Sequence, residues 1–211
     1  MRELDLRLAL REQKVQRNEI DHRVKNSLQS VASLVRVYKG RAERGEDMAD
    51  AFDAIGRRIE ATAALHQMLH DSPLDDAVMM DDFLKEIASL LQDSAPDNVS
   101  ISCEASPVAI STSVASSIAV IVSEFVANSI KHAFVDSQSG HVAISGKSLA
   151  DGTLEITCED NGDANPESTA AKTSASGLGK RIMKASASQI GATLENGPGP
   201  KGYRMVLTLP G

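Results

Sequence analysis

The chain has 211 residues, 42% hydrophobic and 24% charged, which supplies one large or two small folded domains and argues against a disordered tail. A net charge of −7 offers no global basic field for nucleic acid or an anionic membrane, and four Phe, two Tyr and no Trp make no stacking platform for single strands. Cys103 and Cys158, the two cysteines, share neither metal-ligand spacing nor a disulfide framework, so a reducing, cytoplasmic compartment is expected.

Residues 1 to 72 read as helical. Ile20, Val24, Leu28, Val31, Val35 and Tyr38 recur in steps of four or three, the seam of a helix that packs on other helices. Gly40 and Gly45 bracket a charged turn, and a second seam runs through Met48, Phe52, Ile55, Ile59, Thr62, His66 and Leu69. Two antiparallel helices of this kind cannot bury both seams alone, so a homodimeric four-helix bundle is expected. The segment Met1-Arg2-Glu3-Leu4-Asp5 lacks the apolar run of a signal peptide, and no run of about 18 apolar residues occurs, so no membrane insertion is expected. Any sensing is then expected from an upstream domain, a separate sensory partner, or none.

After Asp71-Ser72-Pro73 the pattern changes, and residues 73–211 read as a second domain. Asp81 and Asp82 are expected to cap a helix through Phe83, Leu84, Ile87, Leu90 and Leu91. Val99 to Glu104 alternates like a strand, and Thr112/Ser113 are expected to cap a long helix reaching Phe134. His141–Ser145 and Thr153–Cys158 flank Asp151-Gly152 as a hairpin. A loop of small residues, Ser168–Ser176, precedes a helix from about Gly179 to Gly191, and Ala192–Glu195 with Tyr203–Leu209 form a last hairpin. The expected fold is α+β: an N-terminal helical hairpin followed by an α/β sandwich, one sheet covered by helices on one face.

His22 lies about 200° around its helix from both Ile20 and Val24, so it points away from the seam. Its neighbours on that stripe are Asn18, Glu19, Lys25 and Asn26, all polar. An imidazole displayed in this way is reachable by another domain and, unprotonated, is a competent nucleophile. Glu19 or Asp21 is placed to orient the ring or take its proton, and Lys25 and Asn26 to meet phosphoryl oxygens. His66, in a seam position, reads as a core residue.

In the second domain Glu124, Asn128 and Lys131/His132 share one helix stripe. A carboxylate and a carboxamide one turn apart suit a proton acceptor and a nucleotide-bound Mg2+, and Lys131 or His132 can meet phosphate oxygens. Asp160 follows directly on a strand in Glu159-Asp160-Asn161-Gly162, where it can accept from an exocyclic amine while Gly162 lets a ring approach the backbone. Gly177 and Gly179 open a helix whose free amides favour phosphate.

His22-Arg23-Val24-Lys25-Asn26-Ser27-Leu28-Gln29 resembles the phosphoacceptor box of bacterial histidine kinases whose motif begins His-Arg-x-Lys-Asn, and Ala64-Leu65-His66-Gln67 resembles their second dimerisation helix. Glu124-x-x-x-Asn128-x-x-Lys131-His132, Asp160-x-Gly162 and Gly177-x-Gly179 resemble, in order, the N box and the two glycine boxes of the GHKL ATP-binding domain; the second glycine of the first box is replaced by Ala164. The resemblance implies dimerisation and phosphotransfer helices at 1–72 and an ATP-binding domain at 73–211. It implies Asn128 on Mg2+, Asp160 on adenine N6, the Gly177 and Gly179 amides at the phosphates, and Glu124 assisting proton removal. Thr208 matches the position that supports the adenine-binding Asp. The implied activity is an ATP-dependent autokinase that phosphorylates His22 and passes the phosphoryl group to the receiver domain of a response regulator. A phosphotransfer scaffold with a degenerate nucleotide domain and a response-regulator phosphatase are the alternatives.

Overall fold

The computed structural model describes residues 77–134, 139–162 and 177–211, together with single positions between 35 and 68. The chain divides into two compact units, Met1–Ile59 and Glu60–Gly211. Every described position from Val35 to Met68 is helical, in agreement with the helical seams. Val35, Phe52 and Ile59 of the first unit are exposed, whereas Met68 packs against the core of the second. The expected boundary near residue 72 thus lies beyond the point at which the two units separate.

The second unit is built from β1 (Ala77–Met79), α1 (Met80–Asp93), β2 (Val99–Ala105), β3 (Ala109–Ser111), α2 (Thr112–His132), β4 (Gly140–Ser148), β5 (Leu154–Asp160), α3 (Gly177–Gln189), β6 (Thr193–Pro198) and β7 (Tyr203–Leu209). Five strands make one sheet in the order β2-β4-β5-β7-β6; β2 and β4 run parallel and the other neighbours antiparallel. The β2–β4 crossover carries β3 and α2, as a parallel pairing requires. β1 and β3 form a separate antiparallel ribbon, with Val78 opposite Ile110.

Strand alternation puts one face of the sheet under the helices. Val142, Ile144, Ile156, Cys158, Met205 and Leu207 are buried there, while residues such as Ser102, Ser145 and Thr157, one step along each strand, take the opposite face. From above come Phe83, Leu84 and Ile87 of α1 and Ile118, Ile121, Val122 and Phe125 of α2. Each fully buried side chain of this size contributes roughly 1.5–3 kcal/mol of transfer free energy. Gly146 is small because α1 presses on it: a Cβ there would lie 2.9 Å from Leu84 Cδ1 and 3.1 Å from Met80 Cε. By length and composition α2 passes as a membrane span, but most of that stretch is buried against its neighbours, so its apolar character serves the core.

Two helix starts differ from the sequence reading by local physics. Ser111, not Thr112 or Ser113, caps α2 by accepting from the Val114 N–H at 3.4 Å. Asp81 and Asp82 lie inside the first turn of α1, where they favour the dipole, and Met79 occupies the cap without a side-chain bond. There the Met80 N–H donates to the Val108 carbonyl at 2.8 Å instead. The outer edge of β2 is covered by Gln92, whose side chain accepts from Ile101 N–H at 2.7 Å and donates to the Val99 carbonyl at 3.0 Å.

Candidate functional site

Asp160 ends β5 on the helix-facing side of the sheet and is 3% exposed. A buried carboxylate is costly unless donors surround it, and three converge here. Oδ2 accepts from the Ser129 hydroxyl at 2.7 Å. Oδ1 accepts from the Tyr203 N–H at 3.0 Å and the Gly162 N–H at 3.1 Å. Ser129 comes from α2, Tyr203 from β7 and Gly162 from the turn after β5, so the carboxylate knots three elements together.

Backbone approach around Asp160 is close. A Cβ at Gly162 would lie 2.5 Å from the Ala133 carbonyl oxygen at the end of α2, and one at Gly202 would lie 2.6 Å from Asp160 Oδ1. Asn161 fixes the turn by exchanging bonds with His141: its N–H donates to the His141 carbonyl at 3.1 Å, and its Oδ1 accepts from the His141 N–H at 2.7 Å. Tyr203 also stacks on Phe125 of α2, with ring centroids 6.5 Å apart and planes 17° from parallel. Burial, and then the Asp160 charge, push the Tyr203 phenol above its ordinary pKa.

The second cluster lies farther along α2. Gly179, in the first turn of α3, faces Glu124 and Asn128: a Cβ built on it would be 3.0 Å from Glu124 Oε2 and 3.5 Å from Asn128 Nδ2. The α3 N-terminus, which begins at Gly177, is thereby set beside a carboxylate and a carboxamide that are both half-buried. Amides at a helix start can receive phosphate oxygens, and an amide oxygen beside them can complete the shell of a phosphate-bound cation. Among the described residues no cluster of three or more His, Cys, Asp or Glu could hold a metal ion by itself. Lys131 is exposed and His132 half-buried in the last turn of α2.

Of the residues singled out by sequence, Glu124, Asn128 and Gly179 come together, and Asp160 and Gly162 come together, with α2 joining the two groups. Thr208 requires correction. Antiparallel register sets Thr208 opposite Glu155, at the far end of β5 from Asp160, so its hydroxyl does not support that carboxylate. The hydroxyl that does is Ser129, and the residue of β7 beside Asp160 is Tyr203. Ser129 had a signal in the sequence: it is the polar member of the buried stripe Val122, Phe125, Val126, Ser129. His22, Glu19, Asp21, Arg23, Lys25, Asn26, His66 and Ala164 lie outside the described residues.

Residues 19–95 match a family described as histidine kinase, and residues 113–211 match the family of histidine kinase-, DNA gyrase B- and HSP90-like ATPases. Blue-light-activated histidine kinase 2 of Erythrobacter litoralis is 28% identical over 99% of this chain and 58% of its own length. Sensor histidine kinase PdtaS of Mycobacterium tuberculosis is 29% identical over 79% of this chain and 33% of its own. The chain therefore spans little more than half of the first curated relative and a third of the second. Among solved structures, the E. litoralis EL346 blue-light activated histidine kinase aligns with a TM-score of 0.70 and 27% identity, covering 91% of this chain and 57% of that one. The isolated histidine kinase domain of the same protein aligns with a TM-score of 0.69, covering 92% and 93%. In order along the chain, the match described as histidine kinase precedes the match to the ATPase family.

Proposed function

We propose that the chain is the ATP-dependent autokinase core of a two-component system, in which His22 attacks the γ-phosphorus of ATP held by the second unit. The attack forms an N–P bond at the imidazole and breaks the bond between the γ-phosphorus and the β,γ-bridging oxygen, releasing ADP. The phosphoryl group then passes to an aspartate in the receiver domain of a response regulator. The observation that carries the reading is the buried, three-donor clasp on Asp160, connected through α2 to the Glu124–Asn128–Gly179 cluster.

In this reading Asp160 accepts from adenine N6, and Gly162 and Gly202 keep the backbone close enough for the base to lie against it. The amides of Gly177 and Gly179 and the side chains of Lys131 and His132 meet phosphate oxygens. Asn128 supplies the protein ligand to Mg2+, which when bound neutralises charge on the phosphates. Glu124 assists removal of the imidazole proton. Around His22, Glu19 or Asp21 orients the ring, and Arg23, Lys25 and Asn26 steady the incoming phosphoryl group. Such a site works by positioning and charge neutralisation. The exposed Val35, Phe52 and Ile59 support self-association of the helical unit into a four-helix bundle. The free cysteines suit a cytoplasmic setting, with the stimulus delivered by an upstream domain or a separate sensor.

Calorimetry with Mg2+·ATP tests the nucleotide site directly. Wild type is expected to bind with micromolar affinity and Asp160→Asn at least about tenfold more weakly, since one donor would then face an amide NH2. Absence of heat with wild type would favour the phosphotransfer scaffold instead.

A further inference from the structure

Helix α3 carries Lys180, Arg181 and Lys184 and no carboxylate. All three are exposed and fall within about 100° of arc, while Met183, Ser186 and Ala187 take the buried side. None of the three is ion-paired with another described residue. The arrangement opposes local physics twice. Cations near a helix N-terminus work against the dipole, and like charges three and four residues apart repel. The ordinary solution is seen in α1, with Asp81 and Asp82 in the first turn and Lys85 paired to both. With a net charge of −7 on the chain, composition does not account for a helix that is wholly cationic. Sequences that break a local rule in this way do so where function compensates the cost.

Lys180 follows directly on Gly179, the residue that faces Glu124 and Asn128. Because Cα–Cβ bonds tilt toward the helix N-terminus, the three stems lean toward the end that opens with Gly177. An acidic chain repels an anionic nucleotide, and Glu124 and Asp160 add to that repulsion at the mouth of the site. We propose that Lys180, Arg181 and Lys184 form an electrostatic funnel that inverts this potential locally and steers the polyphosphate of a nucleotide from solution to the start of α3. The inference rests on the nucleotide reading above and adds the way in which the ligand arrives. The three cations act through their summed field, so they raise the association rate and leave the lifetime of the bound nucleotide unchanged.

The test is stopped-flow binding of the fluorescent nucleotide mant-ATP, with Mg2+, to the full chain over a range of NaCl concentrations. Steering is strong at about 10 mM salt, where the Debye length is about 30 Å, and is screened near 1 M, where it is about 3 Å. The wild-type association rate constant is expected to fall about tenfold across that range. The variant Lys180→Gln/Arg181→Gln/Lys184→Gln is expected to associate about tenfold more slowly at low salt, to show an almost flat salt dependence and to converge with wild type at high salt. Its dissociation rate constant is expected to match that of wild type. With mant-ADP, which carries less charge, the difference between the two proteins shrinks. Circular dichroism checks the fold. Should the triple variant fail to fold, Lys184→Gln alone, a full turn from the helix start, is expected to show a partial loss that Lys184→Arg does not. A salt dependence equal to that of wild type would overturn the proposal, as would a loss carried by faster dissociation, which would make these side chains direct ligands or structural. A wild type that takes up no mant-ATP would instead refute the nucleotide reading itself.

Discussion

Gly162 lies directly against Ala133: any side chain at 162 would drive its first carbon to within 2.5 Å of the Ala133 carbonyl oxygen. The turn after β5 is thereby locked to the end of α2, and Asp160 is held between them. Backbone cannot yield as the tip of a flexible side chain can. Gly162→Ala is therefore expected to displace the turn, lower stability by about 1–3 kcal/mol and abolish detectable nucleotide binding. Gly179→Ala meets only the end of the Glu124 side chain, at 3.0 Å, and is expected to fold normally with a smaller loss of affinity. Thermal unfolding and ATP titration of the two variants check the contrast; equal behaviour would contradict it.

Tyr203 provides a pH signature. Its phenol is pushed above the ordinary value of 10.0 by burial first and by Asp160 second, so the folded state holds its proton more tightly than the unfolded chain. The sign follows by linkage: the stability it contributes is fully present below pH 10 and is lost as pH rises from there through the folded value. Tyr203→Phe is expected to make the alkaline fall in stability shallower. In tyrosinate absorbance, a titration above pH 10 should disappear with this substitution.

The long apolar segments were the legible part of the sequence. Helix α2 and the β4–β5 hairpin follow from apolar patterning and from Asp151-Gly152, and Gly152 does take a positive φ of 84°. Ribbon strands β1 and β3 are three residues each, too short for alternation to register. Parallel pairing of β2 with β4 is a long-range choice that no local pattern encodes. At the candidate site, the spacing singled out Asp160 at a strand end and Glu124 and Asn128 on one helix, and these lie on β5 and α2. Thr208 was misassigned because spacing does not fix strand direction: with Glu159 opposite Arg204, it is the start of β7 that arrives beside Asp160. Ser129 lay in an apolar stripe whose polar member is explained only once Asp160 is seen beneath it.

Phe52 and Ile59 are spaced one heptad apart on a helix and are 70% and 50% exposed. Apolar side chains in that arrangement mark a face that another helix covers. Sedimentation of the wild-type chain is expected to report a dimer, and Phe52→Asp with Ile59→Asp is expected to shift it to monomer while leaving ATP binding by the second unit intact. A wild-type monomer at micromolar concentration would contradict self-association.

The nucleotide site and the proposed phosphoacceptor meet in one assay, incubation of the chain with γ-labelled ATP and Mg2+ followed by mapping of the labelled residue. Wild type is expected to take up label on His22, in an acid-labile, base-stable linkage. His22→Gln is expected to take up none while still binding ATP, and Asn128→Ala to take up none although His22 is intact. Label that persists undiminished in His22→Gln would contradict the account.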